Sequence, residues 1–220
     1  SLHNGKELCG FSVNDVTGQL AVSKESLNLS PLHFKSNRSD VKAEIAVSAS
    51  DYHFFDFEKA QWSIDLHALP FHTSDLSVLF PGWLKPDRSV YGNLRCSGNA
   101  KNLDIQNLQF SSGRLTRADI QGKLRNLDNI DSLFTSLEVK NIQTDDEDLR
   151  GFLSSFHLRP EVIPKNVSTL GLMTYQGFIQ SSLSDWRMYG NFETAIGNVN
   201  GDVDFQFQDI PSFNGFLDIE

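Results

Sequence analysis

The most constraining feature of this sequence is the stretch Leu170–Phe207, in which apolar or small residues occupy every second position. The favoured positions are odd from Met173 to Ile179, even from Trp186 to Phe192, and odd again from Val199 to Phe207. A period of two that is reset at turns is typical of an antiparallel meander with one apolar and one solvated face. Such a sheet has an apolar side that needs a cover or a ligand.

Most of the chain repeats this pattern. Alternating segments occur at Val41–Val47, Trp62–Leu66, Val90–Gly98 and Ala118–Leu124. Leu27 and Leu29 alternate and are followed, after Pro31, by Leu32 and Phe34, and Leu103 and Ile105 are followed by Leu108 and Phe110. We therefore expect an all-β protein built on an antiparallel sheet.

Two segments depart from the period of two. His72–Trp83 carries Thr73 or Ser74 as a candidate N-cap and ends at a Pro-Gly pair, which predicts a short helix. Thr144–Phe156 begins with Thr144 as a candidate cap and a run of acidic residues, and its apolar residues fall on one helical stripe. We interpret these acids as helix N-terminal residues, since they lack the glycine and the terminal glutamate of a calcium loop.

The two helical segments resemble each other, and so do the segments that follow them. Asp75–Phe80 aligns with Asp148–Leu153, and each is followed by alternating segments punctuated by glycine. This order predicts a single elongated β domain over residues 1–220 with repeat-like units at about 75–147 and 148–220. The alternative is that any glycine-rich meander looks self-similar.

Composition narrows the function classes. The chain is 39% hydrophobic, with 17 Phe against 4 Tyr and 3 Trp, so the apolar face should carry few polar groups. The net charge of −9 and the absence of a Lys/Arg cluster argue against nucleic acid as a partner. The two cysteines, Cys9 and Cys96, would allow one disulfide. Cys96, however, lies on the apolar phase of its segment and is better interpreted as a small buried hydrophobic residue.

The motifs of catalysis and of metal or cofactor binding are missing from the sequence. The six histidines form no HxH or HExxH pattern, and no nucleophile elbow, P-loop or dinucleotide fingerprint occurs. We therefore expect no enzyme and no cofactor. The abrupt start at Ser1 and the strand-like end at Phe213–Glu220 suggest a fragment of a longer protein.

The stretch Leu170–Phe207 also carries a family resemblance. Its ordered elements are Leu170-Gly171, Tyr175-x-Gly177, Asp185-Trp186, Tyr189–Gly197 and Gly201–Val203. This order resembles the repeat of TamB-like (translocation and assembly module) proteins of Bacteroidetes, which belong to the AsmA-like group and are relatives of the bridge-like lipid transfer proteins. Ser181 and Leu183 stand where turn glycines are expected, which is a departure from that pattern.

The resemblance implies a fold and a role. The fold would be a long sheet curved lengthwise into a "β-taco" with an open apolar groove and short helical insertions. The role would be that of a periplasmic segment whose groove binds phospholipid acyl chains between the inner and outer membranes, in outer-membrane biogenesis. The parent protein would be anchored in the inner membrane of a diderm bacterium, and parts outside this chain would meet an outer-membrane β-barrel (TamA-like) partner.

The alternation and the resemblance together give a set of expected groove-lining residues, which share the apolar phase of their segments. They are Leu94, Cys96, Ile105, Phe110, Ala118, Ile120, Leu124, Tyr175, Ile179, Met188, Phe192, Ile196, Val203, Phe205 and Phe207. Two other interpretations stay open. The same surface could be a scaffold or chaperone for nascent outer-membrane β-barrel strands. The chain could instead form a closed β-sandwich or a solenoid with a dry core and a binding role, for example towards carbohydrate.

Overall fold

The computed structural model describes residues 2–6, 12–56, 58–75, 88–155, 164–206 and 212–220. The strands in chain order are β1 (Leu2–Lys6), β2 (Ser12–Thr17), β3 (Leu20–Val22), β4 (Ser26–Ser36), β5 (Asp40–Ser48), β6 (Gln61–His72), β7 (Ser89–Gly98), β8 (Asn102–Ser112), β9 (Thr116–Arg125), β10 (Phe134–Thr144), β11 (Met173–Ser181), β12 (Asp185–Thr194), β13 (Gly197–Gln206) and β14 (Ser212–Ile219).

All of these strands belong to one antiparallel sheet in which strands pair in chain order, with only the short β3 lying off the main path beside β4. The sheet is open and does not close into a barrel. The expected all-β class is confirmed. The closed-sandwich interpretation is wrong, because every described strand lies in this single sheet.

The meander from β11 to β13 follows the alternation in Leu170–Phe207. Its three phases become three strands, and the pairs Gly177–Gly190 and Gly190–Gly201 fix their register. The phase shifts elsewhere have another cause, since they lie inside single strands. The pairing of β4 with β5 slips between Leu29 and Leu32, and that of β8 with β9 slips between Ile105 and Leu108. These β-bulges insert one residue and so keep the apolar side chains on the same face.

The helices are short and lie in the connections. Within the described residues, one α-helix, α1, spans Asp146–Ser155, and 3-10 turns occupy Thr73–Asp75, Ile130–Ser132 and Lys165–Leu170. The predicted helix at 144–156 is therefore confirmed with slightly shorter bounds. Most of the predicted helix at 72–83 lies outside the described residues, which reach only Asp75.

The residue that caps α1 differs from the one expected. The Asp145 carboxylate accepts the backbone N–H of Asp148 at 2.9 Å, as an N-cap does. Thr144 ends strand β10 instead, and its hydroxyl pairs with that of Thr116 on β9 at 2.9 Å. The N-cap prediction for Thr144 was wrong because the strand ladder holds that residue.

Two buried aspartates lie in connections at one end of the strands. Each of them bonds to the hairpin turn that lies two strands earlier in the chain. Asp75, after β6, accepts hydrogen bonds at 2.6 Å from the hydroxyls of both Ser36 and Ser39 in the β4–β5 turn. Asp148, after β10, accepts the backbone N–H groups of Leu115 and Thr116 at the β8–β9 turn, at 2.8 and 2.9 Å. We call these two contacts the aspartate clamps.

The clamps recur with a fixed spacing. Along the pairing order, the second clamp lies four strands beyond the first, at the same end of the strands. Each aspartate has only 5% of its surface exposed. Asp75 and Asp148, the first residues of the two similar segments, therefore occupy corresponding places four strands apart, and we call the strands between them, β7–β10, a four-strand unit.

Candidate functional site, an apolar face with a groove

Residues that pair directly across an antiparallel ladder point to the same side of the sheet. The pairings place the apolar phases of the strands into four rows that run across the sheet from β4 to β14. Row 1 is Phe34, Val41, Ala68, Gly92, Phe110, Ala118, Ile142, Tyr175, Phe192, Val199 and Ile219. Row 2 is Leu32, Ala43, Leu66, Leu94, Leu108, Ile120, Val139, Gly177, Gly190, Gly201 and Leu217.

The other two rows lie further from the clamps. Row 3 is Leu29, Ile45, Ile64, Cys96, Ile105, Gly122, Leu137, Ile179, Met188, Val203 and Gly215. Row 4 is Leu27, Val47, Trp62, Gly98, Leu103, Leu124, Thr135, Ser181, Trp186, Phe205 and Phe213. The rows contain no charged residue. Together they define what we call the apolar face.

Nearly all of the expected groove residues lie on this face. Row 1 contains Phe110, Ala118, Tyr175 and Phe192; row 2 contains Leu94 and Ile120; row 3 contains Cys96, Ile105, Ile179, Met188 and Val203; row 4 contains Leu124 and Phe205. Ile196 is a correction, because it lies in the β12–β13 turn with 69% of its surface exposed. Phe207 lies outside the described residues.

A groove lies on this face over β4–β8. It has a volume of about 550 Å³ and is lined from rows 1 to 3 by side chains such as Phe34, Ile45, Leu66 and Phe110. Because residues of five consecutive strands line one cavity, the sheet is concave here. Volumes of this order are typical of sites that hold small apolar ligands.

Sequence reasoning missed the β4–β6 wall of the groove. Leu32, Phe34, Val41, Ala43 and Ile45 line it, yet the expected set begins only at Leu94. The signal was present in the alternation of Val41–Val47.

No second layer covers the apolar face within the described part of the chain. The buried residues of rows 1 to 3 are mostly small, such as Ala43, Ala68 and Ala118, and no large side chain is fully buried. The chain exposes 13999 Å², whereas a compact folded chain of 24.7 kDa exposes about 10,000 Å². The described residues therefore leave the apolar face without a cover.

The opposite face is polar and is held by cross-strand pairs. Arg187 on β12 makes a two-pronged contact with the Asp202 carboxylate on β13, at 3.1 and 2.7 Å. The hydrogen bond from Arg187 holds the pKa of Asp202 below its ordinary value. Gln109 on β8 donates to Asp119 on β9 at 2.8 Å. Charge is thus segregated to one side of the sheet.

On β11 and β12, the row 2 positions of the apolar face are occupied by glycines and not by apolar side chains. Gly177 and Gly190 face each other with φ of 156° and 154°, and a Cβ on Gly190 would lie 2.1 Å from the carbonyl oxygen of Gln176. The Tyr175 side chain fills the space above the glycines. Its hydroxyl lies 3.0 Å from the carbonyl oxygen of Phe178 and 3.1 Å from that of Tyr189. Burial raises the pKa of Tyr175.

The described part of the apolar face offers apolar contact and one thiol. Cys96 is a free, buried thiol, and burial raises its pKa, which makes it a poor nucleophile at neutral pH. Among the described residues no group of three or more His, Cys, Asp and Glu side chains is placed to hold a metal ion. No helix in that part of the chain combines the length and apolar character required to cross a membrane.

The fold and the face define a class of protein: an open, single-layer antiparallel meander with one continuous apolar face. Comparisons with protein-family models, with curated proteins and with solved structures found no match to this chain.

Proposed function

We propose that the apolar face binds acyl chains and that this chain is a segment of a periplasmic bridge for phospholipids between the inner and outer membranes. The observation that carries the proposal is the uncovered groove over β4–β8, whose lining is almost entirely apolar. An acyl chain placed there would gain about 0.8 kcal/mol for each buried CH₂.

The form of the face supports movement of a lipid rather than capture at one point. Rows 1 to 3 continue from the groove as far as β14 without a charged residue. A ligand held only by apolar contact has no directional bond to break when it moves along such rows. The polar headgroup would stay in water along the open side of the sheet.

Lipid extraction and mass spectrometry of the purified protein test the proposal. We expect phospholipid or fatty acid to co-purify with the wild-type chain. Phe110→Asp should abolish the co-purification, because it places a carboxylate in the groove. Ser111→Asp is the matched control, since Ser111 is the next residue on β8 and points to the polar face.

Each outcome has a clear meaning. Loss of lipid in Phe110→Asp with retention in Ser111→Asp, and a β-rich circular dichroism spectrum in both, supports the proposal. Equal lipid in the wild type and in Phe110→Asp would show that the groove is not the binding site. Peptides in place of lipid would favour the scaffold for β-barrel strands.

A further inference from the structure

The groove over β4–β8 includes one charged side chain among the described residues that line it, and this is Asp75 of the first aspartate clamp. Asp75 follows β6 and so lies at the clamp end of the groove. Its side chain is only 3% exposed. A buried carboxylate in an apolar wall is costly unless its oxygen atoms receive hydrogen bonds. The partners of each oxygen therefore show what this end of the groove can bind.

The clamp uses only one of the two carboxylate oxygens. The Ser36 hydroxyl accepts the backbone N–H groups of Arg38 and Ser39, at 3.0 and 2.8 Å. The Ser39 hydroxyl accepts the backbone N–H of His72 at 2.8 Å. Each serine donates its one hydroxyl proton to Oδ2 of Asp75, at 2.6 Å. Oδ2 is thus fixed as a hydrogen-bond acceptor.

The other oxygen, Oδ1 of Asp75, is buried and has no hydrogen-bond partner among the described residues. The Arg38 Nε atom lies 3.8 Å from it, which is an ion pair beyond hydrogen-bond distance. The second clamp differs, because Oδ1 of Asp148 accepts the N–H of Arg114 at 3.2 Å and Oδ2 accepts that of Leu115 at 2.8 Å. An aspartate clamp can therefore hold its turn with both oxygens paired, and Oδ1 of Asp75 has room in its bonding for a further donor.

We propose that Oδ1 of Asp75 accepts a hydrogen bond from a hydroxyl group of the bound lipid, a contact that rests on the proposed function of the groove. The preferred ligands are then acyl lipids whose polar end carries a neutral hydroxyl group. A hydroxyl is favoured over an ammonium group because the Arg38 guanidinium already lies beside Oδ1 and would repel a second cation. Oδ1 is buried, and the hydroxyl would reach it past the Arg38 side chain, which is 41% exposed.

Displacement of diphenylhexatriene tests this contact, since this fluorescent hydrocarbon has no polar group and reports apolar binding alone. The competitors are 1-dodecanol and its methyl ether, which share a chain and differ in the hydroxyl proton. On the wild type we expect dodecanol to displace the probe at a concentration at least ~10-fold lower than the ether does. Dodecylammonium should displace it less well than dodecanol.

The Asp75→Asn variant assigns the acceptor. The two serine protons hold the amide oxygen at the Oδ2 position, so the amide NH₂ group replaces Oδ1 and donates instead of accepting. We expect the preference for dodecanol to disappear or to reverse, while the ether still displaces the probe. Asp65→Asn is the matched control, because it makes the same change on the polar face of β6 and should keep the wild-type preference.

The outcomes separate this contact from the binding of acyl chains. A wild type that binds no probe would overturn both proposals. Equal displacement by dodecanol and the ether on the wild type would leave acyl-chain binding in place and overturn the hydroxyl contact. A preference for dodecanol that persists in Asp75→Asn, or stronger displacement by dodecylammonium than by dodecanol, would also overturn it. A wholly apolar wall favours the ether, so the wild-type comparison is decisive even where Asp75→Asn does not fold.

Discussion

Arg88 and Asp148 belong to different connections, and the Arg88 Nη1 atom lies 3.7 Å from Oδ1 of Asp148. The backbone of Arg88 closes the first connection, since its carbonyl accepts the N–H of Thr73 at 2.9 Å. Its side chain reaches α1 in the second, where a Cβ on Gly151 would overlap the guanidinium. Neighbouring four-strand units are thus joined by this side-chain contact at the ends of the strands, as well as by the pairing of the strands themselves.

Removal of the second aspartate clamp should be costly. Asp148→Ala leaves the N–H groups of Arg114, Leu115 and Thr116 without their acceptor. We expect a loss of about 2–4 kcal/mol in the free energy of unfolding, measured by urea denaturation. Glu147→Ala, at the exposed neighbouring position, should change it by less than about 0.5 kcal/mol. Equal losses in the two variants would show that the clamp does not stabilise the fold.

The same clamp predicts a pH dependence. Burial alone would raise the pKa of Asp148, but hydrogen bonds from the backbone of Leu115, Arg114 and Thr116 hold it below its ordinary value of 3.8. The stability that the charged form contributes is therefore complete above pH 3.8 and is lost as the pH falls through the lower folded-state pKa. The difference in unfolding free energy between wild type and Asp148→Asn should shrink over this acidic range. A difference that is constant from pH 7 to pH 2 would contradict the assignment.

The glycine pair on β11 and β12 should tolerate no side chain. In Gly190→Ala the new methyl group would lie 2.1 Å from the Gln176 carbonyl oxygen, and φ would stay at a value that alanine disfavours. We expect a loss of roughly 2–3 kcal/mol, measured by thermal or urea unfolding. Gly18→Ala is the control, since its nearest contact would be 3.1 Å and its φ is ordinary. A smaller loss in Gly190→Ala than in Gly18→Ala would refute the steric argument.

The hydroxyl of Tyr175 should contribute more than that of Tyr189. Tyr175→Phe removes the hydroxyl that lies within hydrogen-bond distance of both carbonyl oxygens, for an expected loss of about 1 kcal/mol. Tyr189→Phe removes a half-exposed hydroxyl from the polar face and should be neutral. Unfolding midpoints of the two variants make the comparison. A neutral Tyr175→Phe would show that this hydroxyl does not contribute to stability.

Local pattern was enough to predict the strands, because alternation and glycine turns are short-range signals. It also placed residues such as Phe110 and Met188 on a common face. It could not separate a turn from a bulge as the cause of a phase shift, since both move the apolar position by one. Only the cross-strand register shows that Leu29 and Leu32 lie on one strand.

The roles of the acidic residues required the tertiary structure. Asp145–Asp148 reads as a helix N-terminus, and Asp145 does cap α1. The partners of Asp148, however, lie more than thirty residues earlier in the chain. Ile196 shows the opposite error, since it continues an apolar sequence pattern but falls in a turn after its strand has ended.

The chain-order pairing of the strands has a consequence for the length of the molecule. Each described strand on the main path pairs along it only with its neighbours, so strand pairing adds along one dimension, as in repeat proteins. One four-strand unit with its clamp could be duplicated or deleted, and the remaining interfaces would keep their geometry. Strands lie about 4.8 Å apart, so each unit would change the span of the sheet by about 19 Å. The number of units would then determine the distance that the apolar face spans.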